Sequence, residues 1–415
     1  MPDQQPPDVT RRTAPAGRER LARLRHEFPI VGERAYLFSG GIAPAPRRVT
    51  EAIAHWLETW SKDPATAWEL RFAATEEVRG RLGRLLGVAP RTIAITDGTS
   101  RACNLAVEML DPAPGTNVVV DATTYPSCLY PWLEPLRAGI EVRHAGNGRA
   151  GLGAAPADVA ALVDDRTIAV SISHVAPETG LRHDMRPLAA AAHAHGAVLV
   201  VDIAQSAGVV PLDLVAEGVD LAAGTAMKWL LGPPGIGYLY VSEELLARSA
   251  APQVGYIGSR LDPMDGGRVL LDPDARRHEL GLPPLLTMPG FAASLGLIEE
   301  AGVVAIEAHV EGLVGRCLDG LHRLGLRVTT PADPALRAGL VVVPVREPIR
   351  IAAYLRERRI DVWGSDKRRM IRIDPHLFND EEDIDRCLEA LEEYAAKHGH
   401  EAIQARLTRS GVMSG

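Results

Sequence analysis

Only four of the 45 basic lysine and arginine residues are lysines, and three of them, Lys62, Lys367 and Lys397, lie among polar neighbours. Lys228 alone sits in an apolar, Gly-rich stretch, Gly224-Thr225-Ala226-Met227-Lys228-Trp229-Leu230-Leu231-Gly232. An amine beside apolar side chains loses hydration, which favours its neutral, nucleophilic form and suits Schiff-base chemistry with a carbonyl. Asp202 ends the apolar run Val198-Leu199-Val200-Val201. A carboxylate at a strand end could keep the nitrogen of a pyridine ring protonated, so that the ring accepts electrons from a carbanion. Gln205, in the same turn, could hydrogen-bond a phenolic oxygen on that ring. The segment Thr96-Asp97-Gly98-Thr99-Ser100-Arg101-Ala102 offers two hydroxyls and free backbone N–H groups at a helix start, which suits a phosphate. Taken singly, each has a plain alternative: a helix cap without a ligand, a capping Asp, a loop amide. Their order along the chain joins them.

These residues must be positioned by an alternation of strands and helices. Short apolar runs at Ile93–Ile95, Asn117–Val120, Ile140–Val142, Ile168–Ser171, Val198–Val201, Leu221–Ala223 and Gly237–Val241 read as strands. Helical stretches such as Arg101–Leu110 and Arg186–His195 separate them. Strands apolar on both faces and alternating with helices predict an α/β fold, a mostly parallel seven-stranded sheet covered by helices. Ahead of it, Val49–Ser61 and Glu76–Leu86 read as helices, and Arg34–Gly41 as a short strand entering a glycine turn. Beyond Leu246 a Gly- and Pro-rich connection leads to a long helix from Gly290 and a smaller α+β region. That region holds helices at Val304–Leu324, Pro348–Arg358 and Glu381–His398 and strands at Leu340–Val343 and Met370–Ile373. The expected division is a disordered tail at 1–20, a segment packing near the site at 21–45, a large cofactor-binding domain at 46–289, a small domain at 290–400 and a tail at 401–415. An aldehyde for Lys228, a pyridine nitrogen for Asp202 and a phosphate for the Thr99 turn together describe pyridoxal 5'-phosphate (PLP).

A chain of 415 residues with 46% hydrophobic and 24% charged residues has ample core material. A net charge of -8 without a long basic run argues against nucleic acid or an anionic membrane as partner, and points to a small-molecule substrate. Cys103, Cys128, Cys317 and Cys387 are widely spaced and show no zinc-binding pattern, so buried free thiols and no metal are expected. The polar N-terminal residues lack the apolar core of a secretory signal, and no apolar run is long enough to span a bilayer. A cytoplasmic protein is expected.

The run from Ser171-Ile172-Ser173-His174-Val175 through Asp202-Ile203-Ala204-Gln205-Ser206-Ala207-Gly208 to Met227-Lys228-Trp229-Leu230-Leu231-Gly232-Pro233-Pro234-Gly235-Ile236-Gly237 resembles the class V aminotransferases. This is the fold-type I PLP group that contains isopenicillin N epimerases, cysteine desulfurases and C–S lyases. The likeness extends from about Leu21 to Tyr394. It implies that Lys228 carries the cofactor as a Schiff base, that Asp202 pairs with the pyridine nitrogen and that Gln205 touches the phenolic oxygen. Gly98, Thr99, Ser100 and Thr225 would hold the phosphate. Tyr125, in Thr123-Thr124-Tyr125-Pro126, occupies the place of the residue that stacks on the ring, although a packing aromatic is its plain alternative. Arg372 matches the arginine that grips the substrate carboxylate, for which a guanidinium fork is suited. Gly40 and Gly41 would lie over an amino-acid substrate or form an ordinary surface loop. A homodimer is implied, with Gly255–Gly258 and Arg276–Glu279 at its edge.

The chain also departs from the family pattern. Met227 stands where many members carry a His, Leu282 where many carry a Thr that reaches a partner's phosphate, and Ala176 where desulfurases use an Asn. His174 is therefore not assumed catalytic. Desulfurases carry a nucleophilic Cys on a loop of the small domain, and Thr329–Arg369 has none. The glycines after Lys228 do not open a helix, which disfavours a nicotinamide site.

With the Cα proton removed, the residues alone leave elimination, transamination, epimerisation and decarboxylation-coupled oxidation open. The expected reaction is β-elimination from a cysteine S-conjugate, a C–S lyase activity. It rests on the missing loop cysteine and on the absence of an evident second arginine for a dicarboxylate. A non-catalytic protein retaining the fold is the alternative from another class.

Overall fold

The computed structural model describes residues 15–133, 139–146, 153–262 and 266–403; of the tails expected at 1–20 and 401–415, residues 1–14 and 404–415 lie outside the described residues, and 401–403 belong to the short helix His400–Ile403. Its central sheet runs in the order Ile93–Thr96, Gly237–Val241, Leu221–Thr225, Val198–Asp202, Thr167–Ser173, Asn117–Asp121, Glu141–Ala145. Gly237–Val241 is antiparallel to both neighbours, and the other strands run parallel. Every residue of Val198–Asp202, Leu221–Thr225 and Gly237–Val241 is buried, as expected where helices cover both faces. One face packs on Thr99–Leu110, the other on Ala73–Leu86, Met185–His193 and Met288–Ala301.

Ile93–Thr96 is an edge strand, yet all of it is buried. An unpaired edge needs cover. Here the turn Ala275–His278 and the following Glu279 supply it, and Ile95 N donates to Glu279 Oε1 at 2.7 Å. Glu279 in turn pairs with Arg79, both side chains 5% exposed or less. His278 is buried too. Of the segment Arg276–Glu279, expected at a subunit edge, His278 and Glu279 have their side chains buried within this chain. The exposed apolar residues nearby are Val254, Tyr256, Leu261, Leu280 and Leu282.

The C-terminal region has a three-stranded antiparallel sheet in the order Val341–Pro344, Met370–Ile373, Trp363–Ser365, in which Arg372 sits opposite both Val342 and Trp363. Helices Val303–Arg323, Pro348–Glu357 and Glu381–His398 surround it. The helices expected from Gly290 and at Val304–Leu324 are Met288–Ala301 and Val303–Arg323, separated at Gly302, whose φ of +79° suits glycine. A helix over Pro15–Arg25 carries order further toward the N-terminus than Leu21 and corrects the expected disorder of residues 15–20. The strand expected at Arg34–Phe38 is reduced to Ala35–Tyr36, which pairs in parallel with Ile360–Asp361. Phe38 then bridges Asp374. This short ladder brings Gly40 and Gly41 beside Arg372.

Several short elements were not evident in the sequence, among them the strand Trp363–Ser365 and the helix Pro64–Glu69. Ser259–Asp262 and Arg268–Leu271 form an antiparallel hairpin inside the Gly- and Pro-rich connection. Pro126–Leu133 is helical despite Pro131.

Candidate active site

The parallel strands end on one rim of the sheet. Register places Asp202 opposite Ser173 and Ala223, and Gly237 opposite both Thr225 and Thr96. Between that rim and the C-terminal region lies a cavity of about 530 Å³, a size suited to a cofactor with a small substrate. All residues expected to hold cofactor or substrate line it, from Gly40 and Gly41 through Gly98, Tyr125 and Asp202 to Arg372.

Lys228 follows the strand Leu221–Thr225 in a tight turn, with Leu231 N donating to Lys228 O at 3.0 Å. Trp229, Leu230 and Leu231 are buried, and Leu231 takes a left-handed φ of +59° that strains a non-glycine residue. The side chain of Lys228 is thereby turned into the cavity. Desolvation pulls its amine down to about 8, while the charge of Asp202 opposes the fall. Among the described residues no hydrogen bond engages the amine. The ring centroid of Tyr125 is 5.7 Å from Lys228 Nζ.

Asp202 is buried, and burial pushes its carboxyl up while the nearby Lys228 charge draws it down. Its Oδ1 accepts from Ala204 N at 2.9 Å. The second oxygen remains for a ligand N–H. Gln205 is held on both sides, since Oε1 accepts from Trp229 Nε1 at 2.8 Å and Nε2 donates to Gly40 O at 2.9 Å. One amide hydrogen is left for a phenolic oxygen. Its evident duty is to tie the lysine turn to the glycine turn.

At the other end, Gly98 precedes the helix Thr99–Leu110, whose first turn has no acidic residue. A side chain at Gly237 would come 2.5 Å from the Gly98 backbone, so two facing glycines bring the turn against the sheet rim. Ser100 Oγ lies 2.9 Å from Ser127 Oγ, a hydroxyl the sequence reading had not included. Thr225 Oγ1 donates to Ile236 O at 3.1 Å, so its proton is already committed. As a phosphate donor it would first have to turn.

Arg372 is buried, and its Nε donates to both oxygens of Asp374. Its guanidinium carbon stands 4.9 Å from the Trp363 ring centroid. The terminal nitrogens are left for a carboxylate. His174 is buried with Nδ1 unpaired, and burial beside Arg182 and His183 keeps it neutral; it is not among the cavity-lining residues. Arg368 does line the cavity. The expectation that no second arginine stands at the site is corrected in position: in Asp366-Lys367-Arg368-Arg369 the residue looks like part of a solvated turn, and only the fold brings it inward.

A lysine amine near 8, a buried carboxylate at a strand end and a glycine–hydroxyl turn at a helix start together fit PLP. A model of the class-V aminotransferase family matches residues 35–386. The chain belongs to this family. It is similar to a kynureninase of Deinococcus radiodurans, at 31% identity over 72% of this chain and 74% of that protein. It is also similar to a probable cysteine desulfurase of Methanothermobacter thermautotrophicus, at 29% identity over 69% and 72%. Among solved structures, the cystine C–S lyase C-DES in complex with its reaction product cysteine persulfide superposes with a TM-score of 0.81 at 26% identity, covering 88% of this chain and 99% of that one. Another C-DES structure holds glycine covalently linked to the PLP cofactor. This class-V chain is thus a PLP-dependent enzyme, and a non-catalytic role for the fold is set aside. No helix among its described residues is long and apolar enough to cross a membrane.

Proposed function

We propose that this enzyme is a C–S lyase that cleaves the Cβ–S bond of a cysteine S-conjugate. One observation carries the reading: no thiol lines the cavity. Cys103 and Cys128 are buried in the sheet's helical cover, Cys317 and Cys387 in the C-terminal core. Sulfur therefore leaves with the substrate's own substituent and is not handed to an enzyme cysteine.

Bound in the cavity, PLP weakens the bonds to Cα and accepts the electron pair released there. The protein's residues do the rest. Arg372, steadied by Asp374 and Trp363, takes the α-carboxylate on its terminal nitrogens. The Lys228 amine, desolvated enough to be a base near neutral pH, removes the Cα proton. Asp202 would keep a proton on the pyridine nitrogen, Gly98, Thr99 and Ser100 would hold the phosphate, and Tyr125 would stand against the ring. The Cβ–S bond then breaks with its electron pair on sulfur, which leaves as a thiol after protonation. With one water, the carbon skeleton is released as pyruvate and ammonium.

The reading includes a homodimer, supported by the exposed apolar residues Val254, Tyr256, Leu280 and Leu282, which lie close together in the fold. The test of the lyase reading is a panel of cysteine S-conjugates, with thiol and pyruvate followed together. Equimolar release of both supports it. Intact conjugates with stoichiometric consumption of a keto acid overturn it in favour of aminotransfer.

A further inference from the structure

Among the described residues four cationic side chains line the cavity: Lys228, Arg101, Arg368 and Arg372. Two have a task in the lyase reading, Lys228 at the aldehyde and the Cα proton and Arg372 at the α-carboxylate, while Arg101, in the first turn of the helix at the phosphate turn, donates from Nη2 to Gln253 Oε1. Arg368 has none. Its position is nevertheless fixed from several sides. Its Nε donates to Glu178, and its backbone N donates to Ser365 Oγ at 3.3 Å. Its guanidinium carbon stands 5.7 Å from the ring centroids of both Tyr125 and Trp363. Those same two rings face Lys228 and Arg372. Arg368 thus shares its aromatic walls with the amine and with the carboxylate fork.

Glu178 does not exhaust this cation. Among the described residues no hydrogen bond occupies the two terminal nitrogens of Arg368. Its side chain is 21% exposed, against 43% for Glu178, so the carboxylate leans to solvent while the guanidinium faces the cavity. Among the described residues only Asp97 and Asp202 supply carboxylates to the lining, and both are placed at the cofactor end. A partly desolvated guanidinium with unused donors favours a carboxylate on the ligand.

We infer that Arg368 selects substrates whose side chain ends in a carboxylate, so that the preferred cysteine S-conjugate carries an acidic group on its sulfur substituent. The leaving-group part of this statement rests on the lyase reading; the acidic-group part does not.

The test uses the PLP-loaded enzyme and two matched pairs. S-(2-carboxyethyl)-L-cysteine and S-propyl-L-cysteine differ in a terminal carboxylate, and thiol release gives kcat/KM for each. L-2-aminoadipate and L-norleucine differ in the same way, carry no sulfur to lose, and are followed by the change in visible absorbance on binding. The expected preference for the acidic member is roughly tenfold to hundredfold in each pair. In Arg368→Gln the preference falls toward one, with the loss in KM of the acidic conjugate and not in kcat. Arg368→Lys restores part of it, which a purely structural role would not produce. If neither conjugate is cleaved but aminoadipate still binds tighter than norleucine in an Arg368-dependent way, the lyase reading fails and the selection by Arg368 stands. Equal handling of both members of each pair, or a preference that survives Arg368→Gln, overturns it.

Discussion

Asp374 holds Arg372 through both of its carboxylate oxygens, 3.0 and 2.8 Å from Nε, and both residues are buried. Burial raises the Asp374 carboxyl to about 6, and the Arg372 charge restrains the rise. Above that pH Asp374 is ionised and the guanidinium is held by a charged partner. As pH falls through about 6 the carboxyl takes up a proton, and the ionic part of the grip is lost. KM for an amino-acid substrate should therefore rise on the acid side of 6, by up to roughly tenfold, while kcat changes less. Asp374→Asn should show the raised KM at every pH and no inflection there. A KM in the parent enzyme that is flat from about pH 5 to about pH 7, on the order of one unit either side of the inflection, would remove Asp374 from this role.

Lys228 offers a second titration. Desolvation lowers its amine to about 8, so its neutral form gains population at a lower pH than that of an ordinary lysine at about 10.4. In the cofactor-free protein, labelling of Lys228 by an amine-reactive sulfonate should rise with pH and level off past about 8. Peptide mapping separates it from Lys62, whose side chain is 73% exposed. Labelling of Lys228 that tracks Lys62 across the whole range would show that the cavity does not lower this amine.

The seven strands of the sheet and the rim residues Asp202, Gly98 and Lys228 were legible because each depends on local pattern: an apolar run, then a turn with a particular chemistry. What stayed hidden depends on distant pairing. Arg368 reads as one of a run of surface cations until Trp363 and Tyr125 are placed beside it. Glu279 reads as a surface acid until it is found 200 residues away from its partner Arg79 in sequence. The commitment of Gln205 to Trp229 and Gly40 is of the same kind. No spacing rule announces such contacts.

Gly237 tests the phosphate end of the site without altering a polar group. A Cβ there would meet Gly98 C and Cα at 2.5 Å, closer than any real Cβ contact, and both atoms belong to backbone. Gly237→Ala should push the turn Gly98–Ser100 from the sheet rim and weaken retention of the cofactor by roughly tenfold or more, on the scale of overpacking a tight contact at 1–3 kcal/mol. Equilibrium dialysis of PLP against the variant measures this. Unchanged retention would mean that the phosphate is held elsewhere.

The Arg79–Glu279 pair is structural, and its worth can be separated from that of the site. Arg79 Nη1 also donates to Ile93 O at 2.8 Å, so the pair fastens the edge strand to the helix Ala73–Leu86 and to the cover segment together. Glu279→Ala leaves a guanidinium 3% exposed with only Glu76, at 3.2 Å, as its remaining carboxylate, and takes the acceptor from Ile95 N. Breaking a buried pair from one side costs about 3–5 kcal/mol, whereas replacing both members by apolar groups costs far less. Glu279→Ala should therefore lower the urea midpoint sharply, and Arg79→Met with Glu279→Met should recover much of the loss. Both variants should keep the visible absorbance of bound cofactor at low denaturant, because neither residue lines the cavity that holds Lys228. A double variant less stable than Glu279→Ala would show that the contacts of Arg79, its ion pair together with its bond to Ile93 O, and not the cost of orphaning one charge, hold this edge.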